Sequence, residues 1–263
     1  MTLMRDILLS LFFFSGAALL SSSACLAAPS PEEQLGTLLK AHPELILDVL
    51  REHSEQLLDI VQQGSDTRRR VTLRKQWESD MKTHKTVTVA KRPVSGPDNA
   101  PVTIVAFSDF LCSYCHQAAF TLGDLMTRYK GKIRLVFKLT PKNENGRYAG
   151  TWFLAAYATM DKAKAWKFYA LLFDRQQKIE SDPLPALRAT AAEAGLDAKA
   201  LEAAAHANAA AFEALMDEDA AEAHSLGFVG TPYFLVNDLV IRGALPLDNF
   251  IDATELALSK ARK

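Results

Sequence analysis

Cysteine is scarce: the 263 residues contain 3, at Cys25, Cys112 and Cys115. That excludes a small domain stapled by several disulfides. An excess of one charge is also missing. The 30 lysines and arginines face 31 acidic residues, a net charge of −1, so the balance favours neither nucleic acid nor an anionic membrane as partner. Beyond the N-terminus no apolar run reaches the length that spans a bilayer. There is no second C-x-x-C and no histidine pair at ligand spacing, which argues against zinc. Beyond the cysteines themselves there is no histidine or methionine cluster that suits copper. Internal repeats and low-complexity segments are absent as well. What remains is a chain 49% hydrophobic and 23% charged, enough to bury the core of one large or two small domains.

Met1 to Ala28 reads as an export signal. Arg5 supplies the positive start, Ile7 to Leu20 the apolar stretch, and Ser21 to Ala28 the small-residue end. Ala27, with Cys25 two before it, fits a cleavage site, whereas Pro29 disfavours cleavage directly before itself. The expectation is a signal peptide over 1–27 and a periplasmic location. Lipid attachment at Cys25 is the lesser alternative, because Ser22 stands where such motifs carry leucine. After cleavage, Cys112 and Cys115 are the only thiols, so there is nothing for them to mispair with.

Residues 28–85 read as an N-terminal helical segment and linker. Ser30-Pro31-Glu32-Glu33 is a capping box with a first-turn proline. The first helix breaks near His42-Pro43 and a second starts at Pro43. Leu39, Ile46, His53 and Ile60 repeat every seven, as do Leu50 and Leu57, predicting a seam from Ile46 to Ile60 that Gly64 ends. A charged third helix follows over Thr67 to Met81, carrying Arg68-Arg69-Arg70, Arg74 and Lys75. The apolar stripe either folds back on the rest of the chain or joins subunits. A thin helical hairpin has little of its own to bury against, which favours a homo-oligomer.

The chemistry sits in Ala100 to His116, APVTIVAFSDFLCSYCH. Val102 to Phe107 is a β-branched apolar run and reads as a buried strand. Apolar residues then recur at helical spacing from Ser113 to Tyr129. Cys112 therefore lies at a helix N-terminus, where unpaired amides and the macrodipole stabilise a thiolate. A C-x-x-C pair there reads as a redox dithiol, with Cys112 attacking and Cys115 resolving. A structural disulfide between Cys112 and Cys115 would close too small a loop to constrain the unfolded chain. Cys112-Ser113-Tyr114-Cys115-His116 is also the attachment string of a c-type haem, with His116 as axial ligand. Asp109, three before Cys112, suits a helix N-cap.

Downstream, Gly227 to Gly243 reads GFVGTPYFLVNDLVIRG. Tyr233 to Val236 and Leu239 to Ile241 are two strands joined at Asn237-Asp238. With F-S-D-F-L-C-S-Y-C at Phe107 to Cys115, G-F-V-G-T-P-Y-F-L-V-N at Gly227 to Asn237 and I-R-G-A-L-P-L-D-N-F at Ile241 to Phe250, the chain resembles the thioredoxin superfamily. Within it the likeness is to DsbA-type thiol-disulfide oxidoreductases over roughly Val87 to Leu258. The layout is similar to the ScsC-like branch, whose N-terminal segment oligomerises. The resemblance implies an α/β thioredoxin fold over 86–263, with a helical insertion at about 146–226, preceded by the N-terminal helical segment. It also implies that Pro232 is cis and faces the cysteines, and that Thr231 contacts substrate backbone. Ala106 replaces the buried glutamate that many relatives carry six residues before the first cysteine.

Elsewhere, Val87 to Val89 reads as a first strand, Lys91 to Asn99 as a turn-rich connector and Lys132 to Leu139 as a strand closing a β-α-β unit. Trp152, Phe153, Tyr157, Trp166, Tyr169 and Phe173 mark core faces of helices. His206 and His224 read as solvent-facing. The expected function is exchange of disulfides in cysteine-containing envelope proteins through Cys112 and Cys115, as isomerase or reductase rather than pure oxidase. Ser113, Tyr114 and His116 would tune the dithiol, and a membrane thiol reductase or oxidase would be the redox partner. No cofactor, metal or nucleic acid is expected. A dithiol oxidase, or a haem carrier using Cys112, Cys115 and His116, is the alternative.

Overall fold

The computed structural model describes residues 30–261; the expected signal peptide and Cys25 lie outside the described residues. The chain divides into two units between Gly64 and Ser65.

The first unit holds helices α1 (Pro31–Ala41), α2 (Pro43–Glu52) and the start of α3 (Ser54–Asp80). The Ser30 hydroxyl accepts from Glu33 N and the Glu33 carboxylate from Ser30 N, which is the expected capping box. Pro43 sits in the first turn of α2, where its missing N–H costs nothing. Neither α1 nor α2 buries a residue, and Ile46, Leu50, Leu57 and Ile60 are all exposed. Two expectations are corrected. The seam is interrupted at His53, a turn between α2 and α3. Gly64 ends nothing: α3 runs through it to Asp80, and the separate helix expected from Thr67 is its second half. A glycine inside a helix costs only about 1 kcal/mol, and the far end of α3 is held strongly.

That far end packs within the second unit. Trp77 is buried and its Nε1 donates to Val240 O at 2.9 Å, while Val240 N donates to Asp80 at 3.1 Å. Arg70 makes a two-pronged pair with Asp252, both contacts at 2.7 Å.

The second unit is built on one sheet with strand order β1-β3-β2-β4-β5. The strands are β1 (Val94–Ser95), β2 (Val102–Ser108), β3 (Ile133–Leu139), β4 (Tyr233–Val236) and β5 (Leu239–Arg242). Only β2 and β3 run parallel, and α4 (Ser113–Arg128) crosses between them as a β-α-β unit. β4 and β5 form the hairpin expected around Asn237-Asp238, followed by α11 (Leu247–Ala261). Between β3 and β4 stand six helices: α5 (Glu144–Thr159), α6 (Lys162–Asp174), α7 (Gln176–Ser181), α8 (Pro183–Glu193), α9 (Ala198–Ala207) and α10 (Ala209–Ser225). This is a thioredoxin fold with a helical insertion. Among the described residues no helix is long and apolar enough to cross a membrane.

The side-chain alternation of β2 supplies two cores. Ile104 and Ala106 face a large one shared with α4, α11 and the insertion, whereas Val105 and Phe107 face a smaller one with Phe228 and Leu235. The aromatics Trp152, Phe153, Tyr169 and Phe173 belong to the large core, and His206 and His224 are exposed. Val87 to Val89 is not a strand. Its valines pack on the smaller core, but nearby amides bond side chains instead of a neighbour strand: Lys85 N to Asp238 at 2.9 Å, Thr88 N to Glu222 at 2.7 Å. β1 lies inside the expected connector, antiparallel to β3.

Candidate active site

Strand β2 is rigid because it is bonded on both sides, by β3 and β4. It delivers the chain at Ser108 to a short loop, Asp109 to Leu111, and Cys112 then takes the N-cap position of α4 with φ −92° and ψ 122°. The Cys112 carbonyl accepts from His116 N at 3.1 Å, closing the first turn. Cys112 is half-buried, and the backbone N–H groups of Tyr114 and Cys115 in the first turn of α4 act on its sulfur. Cys115, one turn on, is buried in the large core. Both are thiols in this structure.

Opposite them, Gly230 turns the chain with φ +93° into a cis Thr231–Pro232 bond that leads directly into β4. The Cys112 Sγ–H donates to Thr231 O at 3.6 Å. Two segments separated by more than a hundred residues thus meet at one sulfur.

The electrostatics separate the two thiols. A hydrogen bond from Cys115 lowers the Cys112 thiol to about 5, against the opposing effect of burial. The Thr231 side chain and the backbone N–H groups of Cys115 and Tyr114 lower it further in the same direction. Cys115 is held well above the ordinary thiol range, first by its hydrogen bond to Cys112 and then by burial. The pair therefore loses its first proton at Cys112, and Cys115 keeps the other and shares it with the thiolate. Ser108, itself buried, hydrogen-bonds Cys115 and partly offsets this.

Ser113 and Tyr114 form the start of α4, and Tyr114 is exposed. His116 lies between the rings of Phe120 and Phe173, with Nε2 3.3 Å from Asp174 on α6. Haem attachment through Cys112, Cys115 and His116 does not fit this site: Cys115 is 1% exposed, and the ring nitrogen that would ligate iron faces a carboxylate. Asp109 is not the cap of α4, because Cys112 holds that position. Its buried carboxylate instead accepts from Leu111 N at 3.0 Å and Lys142 N at 3.1 Å, stitching the cysteine loop to the end of β3. Burial pushes that carboxyl up. Ala106 is fully buried, and its methyl gives the β2 position six before Cys112 no side-chain proton acceptor.

Gln176 has no counterpart in the sequence reading. Its side chain reaches from α7 to the carbonyls of Phe110 and Cys112. A lone glutamine in a helix carries no periodic or motif signal that could have marked it.

Among solved structures, a thioredoxin-like oxidoreductase from Silicibacter pomeroyi is 27% identical, with a TM-score of 0.55 over 65% of this chain and 94% of that one. ScsC from Proteus mirabilis in a transitional conformation is 17% identical, with a TM-score of 0.54 over 86% of this chain and 99% of that one. Curated relatives include a sodium/proton antiporter NhaA from Herminiimonas arsenicoxydans, 29% identical over 151 residues, which are 57% of this chain and 23% of the antiporter. The chain thus spans about a quarter of the length of the curated relatives it matches. The family model described as thioredoxin matches residues 88–254, the stretch from just before β1 into α11 that holds both cysteines and Pro232, and the chain belongs to that thioredoxin family.

Proposed function

We propose that this protein is an exported thiol-disulfide oxidoreductase acting on cysteine-containing envelope proteins, as isomerase or reductase rather than pure oxidase. One observation carries the exchange chemistry: a half-buried Cys112 sulfur at the N-cap of α4, 3.6 Å from Thr231 O, with the buried Cys115 thiol behind it, an arrangement that lowers Cys112 to about 5. The Cys112 thiolate attacks one sulfur of a client disulfide, forming a mixed disulfide and expelling the other client sulfur as thiolate. Cys115 then attacks the Cys112 sulfur, its proton passing to the departing client sulfur. The Cys112–Cys115 disulfide forms, and the second client thiol leaves with the pair's two electrons. In isomerisation a client thiol attacks the mixed disulfide instead, and Cys112 returns as thiolate. Thr231 and Pro232 hold the client chain beside Cys112, while Ser113, Tyr114 and His116 adjust thiolate stability.

Replacing Cys115 by alanine removes the resolving thiol and should accumulate a mixed disulfide between Cys112 and a scrambled-disulfide client, seen as a reducible adduct by mass. Loss of client turnover with no adduct would reject the assignment of roles.

The direction of exchange is supported by the N-terminal unit. Its apolar residues, Ile46, Leu50, Leu57 and Ile60 among them, are exposed in one chain, and burying them between copies removes that surface from water. Several thiols around one misfolded client raise the local thiol concentration, which favours reshuffling. The Leu50→Lys/Leu57→Lys double variant should lower the native mass to that of one chain and reduce refolding of scrambled substrate, with single-disulfide reduction unchanged. An unchanged native mass would reject the interface. A membrane thiol reductase would restore the dithiol. Periplasmic location rests on Met1 to Ala28 as signal peptide.

A further inference from the structure

One side chain of the helical insertion touches the reacting backbone without belonging to the dithiol or the Thr231–Pro232 turn. Gln176, the first residue of α7, donates from Nε2 to Phe110 O at 2.6 Å and to Cys112 O at 3.0 Å. Both hydrogens of its amide are used, and the carbonyls on either side of Leu111 are tied to a single nitrogen. The Cys112 carbonyl also accepts from His116 N, so both of its lone pairs are engaged and the peptide plane after Cys112 is fixed. From the other side Asp109 accepts from Leu111 N. The loop that aims the sulfur is thus held at three successive residues, by one side chain from β2's end and one from the insertion.

The orientation matters because the amides of Tyr114 and Cys115 stabilise sulfur charge only while the Cys112 dihedrals keep Sγ above them. We propose that Gln176 is a positioning residue for thiol exchange, fixing the Cys112 backbone from the helical insertion so that the sulfur stays over the first-turn amides of α4. This rests on the oxidoreductase reading of the site. It gives the insertion a part in setting the reactivity of a thiol that lies on the thioredoxin core. Without Gln176 the Cys112 and Phe110 carbonyls turn to water and the loop gains freedom at the N-cap. The thiolate then becomes the poorer leaving group, and the dithiol loses ground to the disulfide at equilibrium with glutathione.

The test is made on the full chain with Gln176→Ala and Gln176→Glu, by ultraviolet titration of the thiolate and by the equilibrium constant with glutathione. Gln176→Ala should raise the titration midpoint by about half to one pH unit, roughly a three- to tenfold loss of thiolate below the midpoint. The glutathione equilibrium should shift towards disulfide in the same sense. Gln176→Glu keeps the shape, cannot donate and adds a like charge, so its shift should be larger. It also serves if the alanine variant fails to fold. Arg188→Ala breaks a two-pronged pair with Glu202 inside the insertion, away from the cysteines, and should leave both readings unmoved whatever it does to melting. Variants at Gln176 that titrate and equilibrate like the wild type would overturn the inference alone. A wild-type protein with no low-pH thiolate and no exchange with glutathione would overturn the oxidoreductase reading beneath it.

Discussion

The reduced protein should resist unfolding better than its Cys112–Cys115 disulfide form, and the gap should widen as pH rises from about 5 to about 8.5. In the folded dithiol Cys112 ionises near 5, whereas in an unfolded chain an ordinary thiol ionises near about 8.5. Between those values the folded state has released a proton that the unfolded state still holds. Stability therefore rises with pH across the window and is lost as pH falls through the folded value, with a limiting slope of about 1.36 kcal/mol per unit. At pH 7 the unscreened figure is roughly 2.7 kcal/mol. Cys112 is partly open to water, so about 1–2 kcal/mol is the expected net. Cys115, shifted upward in the folded state, is protonated in both states up to about pH 7.5; above that its unfolded thiol begins to ionise, and this flattens the slope towards the top of the window. The oxidised form has no titrating sulfur and lacks the whole contribution, and its short loop constrains the unfolded chain little. Denaturant unfolding of both forms at about pH 4.5 and about pH 7.5 would measure it. A gap independent of pH, or a more stable oxidised form at neutral pH, would contradict the geometry drawn for Cys112.

The same linkage bears on the direction of exchange. Stabilising the thiolate stabilises the reduced protein, which makes the disulfide form a ready electron acceptor and the dithiol the resting state wherever a reductant is at hand. An isomerase needs that resting state. The thiolate therefore favours the isomerase or reductase reading only together with a reductase that keeps pace, and the equilibrium constant with glutathione, measured beside the unfolding gap, sets how strongly.

The parts legible in the sequence are those with short-range signals. β2, β3 and the β4–β5 hairpin announce themselves by apolar runs between turn residues, and Cys112 and Cys115 by spacing at a strand-to-helix junction. β1 was hidden because two residues carry no period, while Val87 to Val89 imitates a strand whose amides bond the side chains of Asp238 and Glu222. Gly64 misleads because the helix is decided further along, where Trp77 is buried. Asp109 looks like a cap by position, yet the cap is Cys112, and the carboxylate is turned towards Lys142 instead. Gln176 lies 64 residues from Cys112, a separation over which no local pattern reports.

Asp219→Ala should be among the most destabilising single changes in the second unit. Asp219, on α10, is 3% exposed. Its carboxylate receives Lys138 Nζ at 2.8 Å and Arg92 Nε at 2.9 Å through one oxygen and Leu139 N at 3.0 Å through the other. Lys138 is fully buried in β3, its ammonium also over the Phe107 ring, and Arg92 is nearly so. Each cation has a second carboxylate, Glu222 for Lys138 and Glu218 for Arg92. Only Asp219 bridges the two and satisfies a strand amide as well. Its removal leaves positive charge and an N–H underpaired in the smaller core, a loss of about 3–5 kcal/mol. For a chain of this size that is roughly a 6–20 °C fall in melting temperature. Lys138→Met should cost less, because Asp219 keeps Arg92 and the freed volume is apolar. Phe107 and Lys138 face the side of the sheet away from the large core that holds Cys115. The Cys112 titration of the folded Asp219→Ala protein should therefore match the wild type even as its melting point drops. A loss below about 1 kcal/mol would mean that water already reaches the cluster. A shifted thiolate would mean that α10, which leads through Phe228 to Thr231, carries the disturbance around the sheet edge to the sulfur.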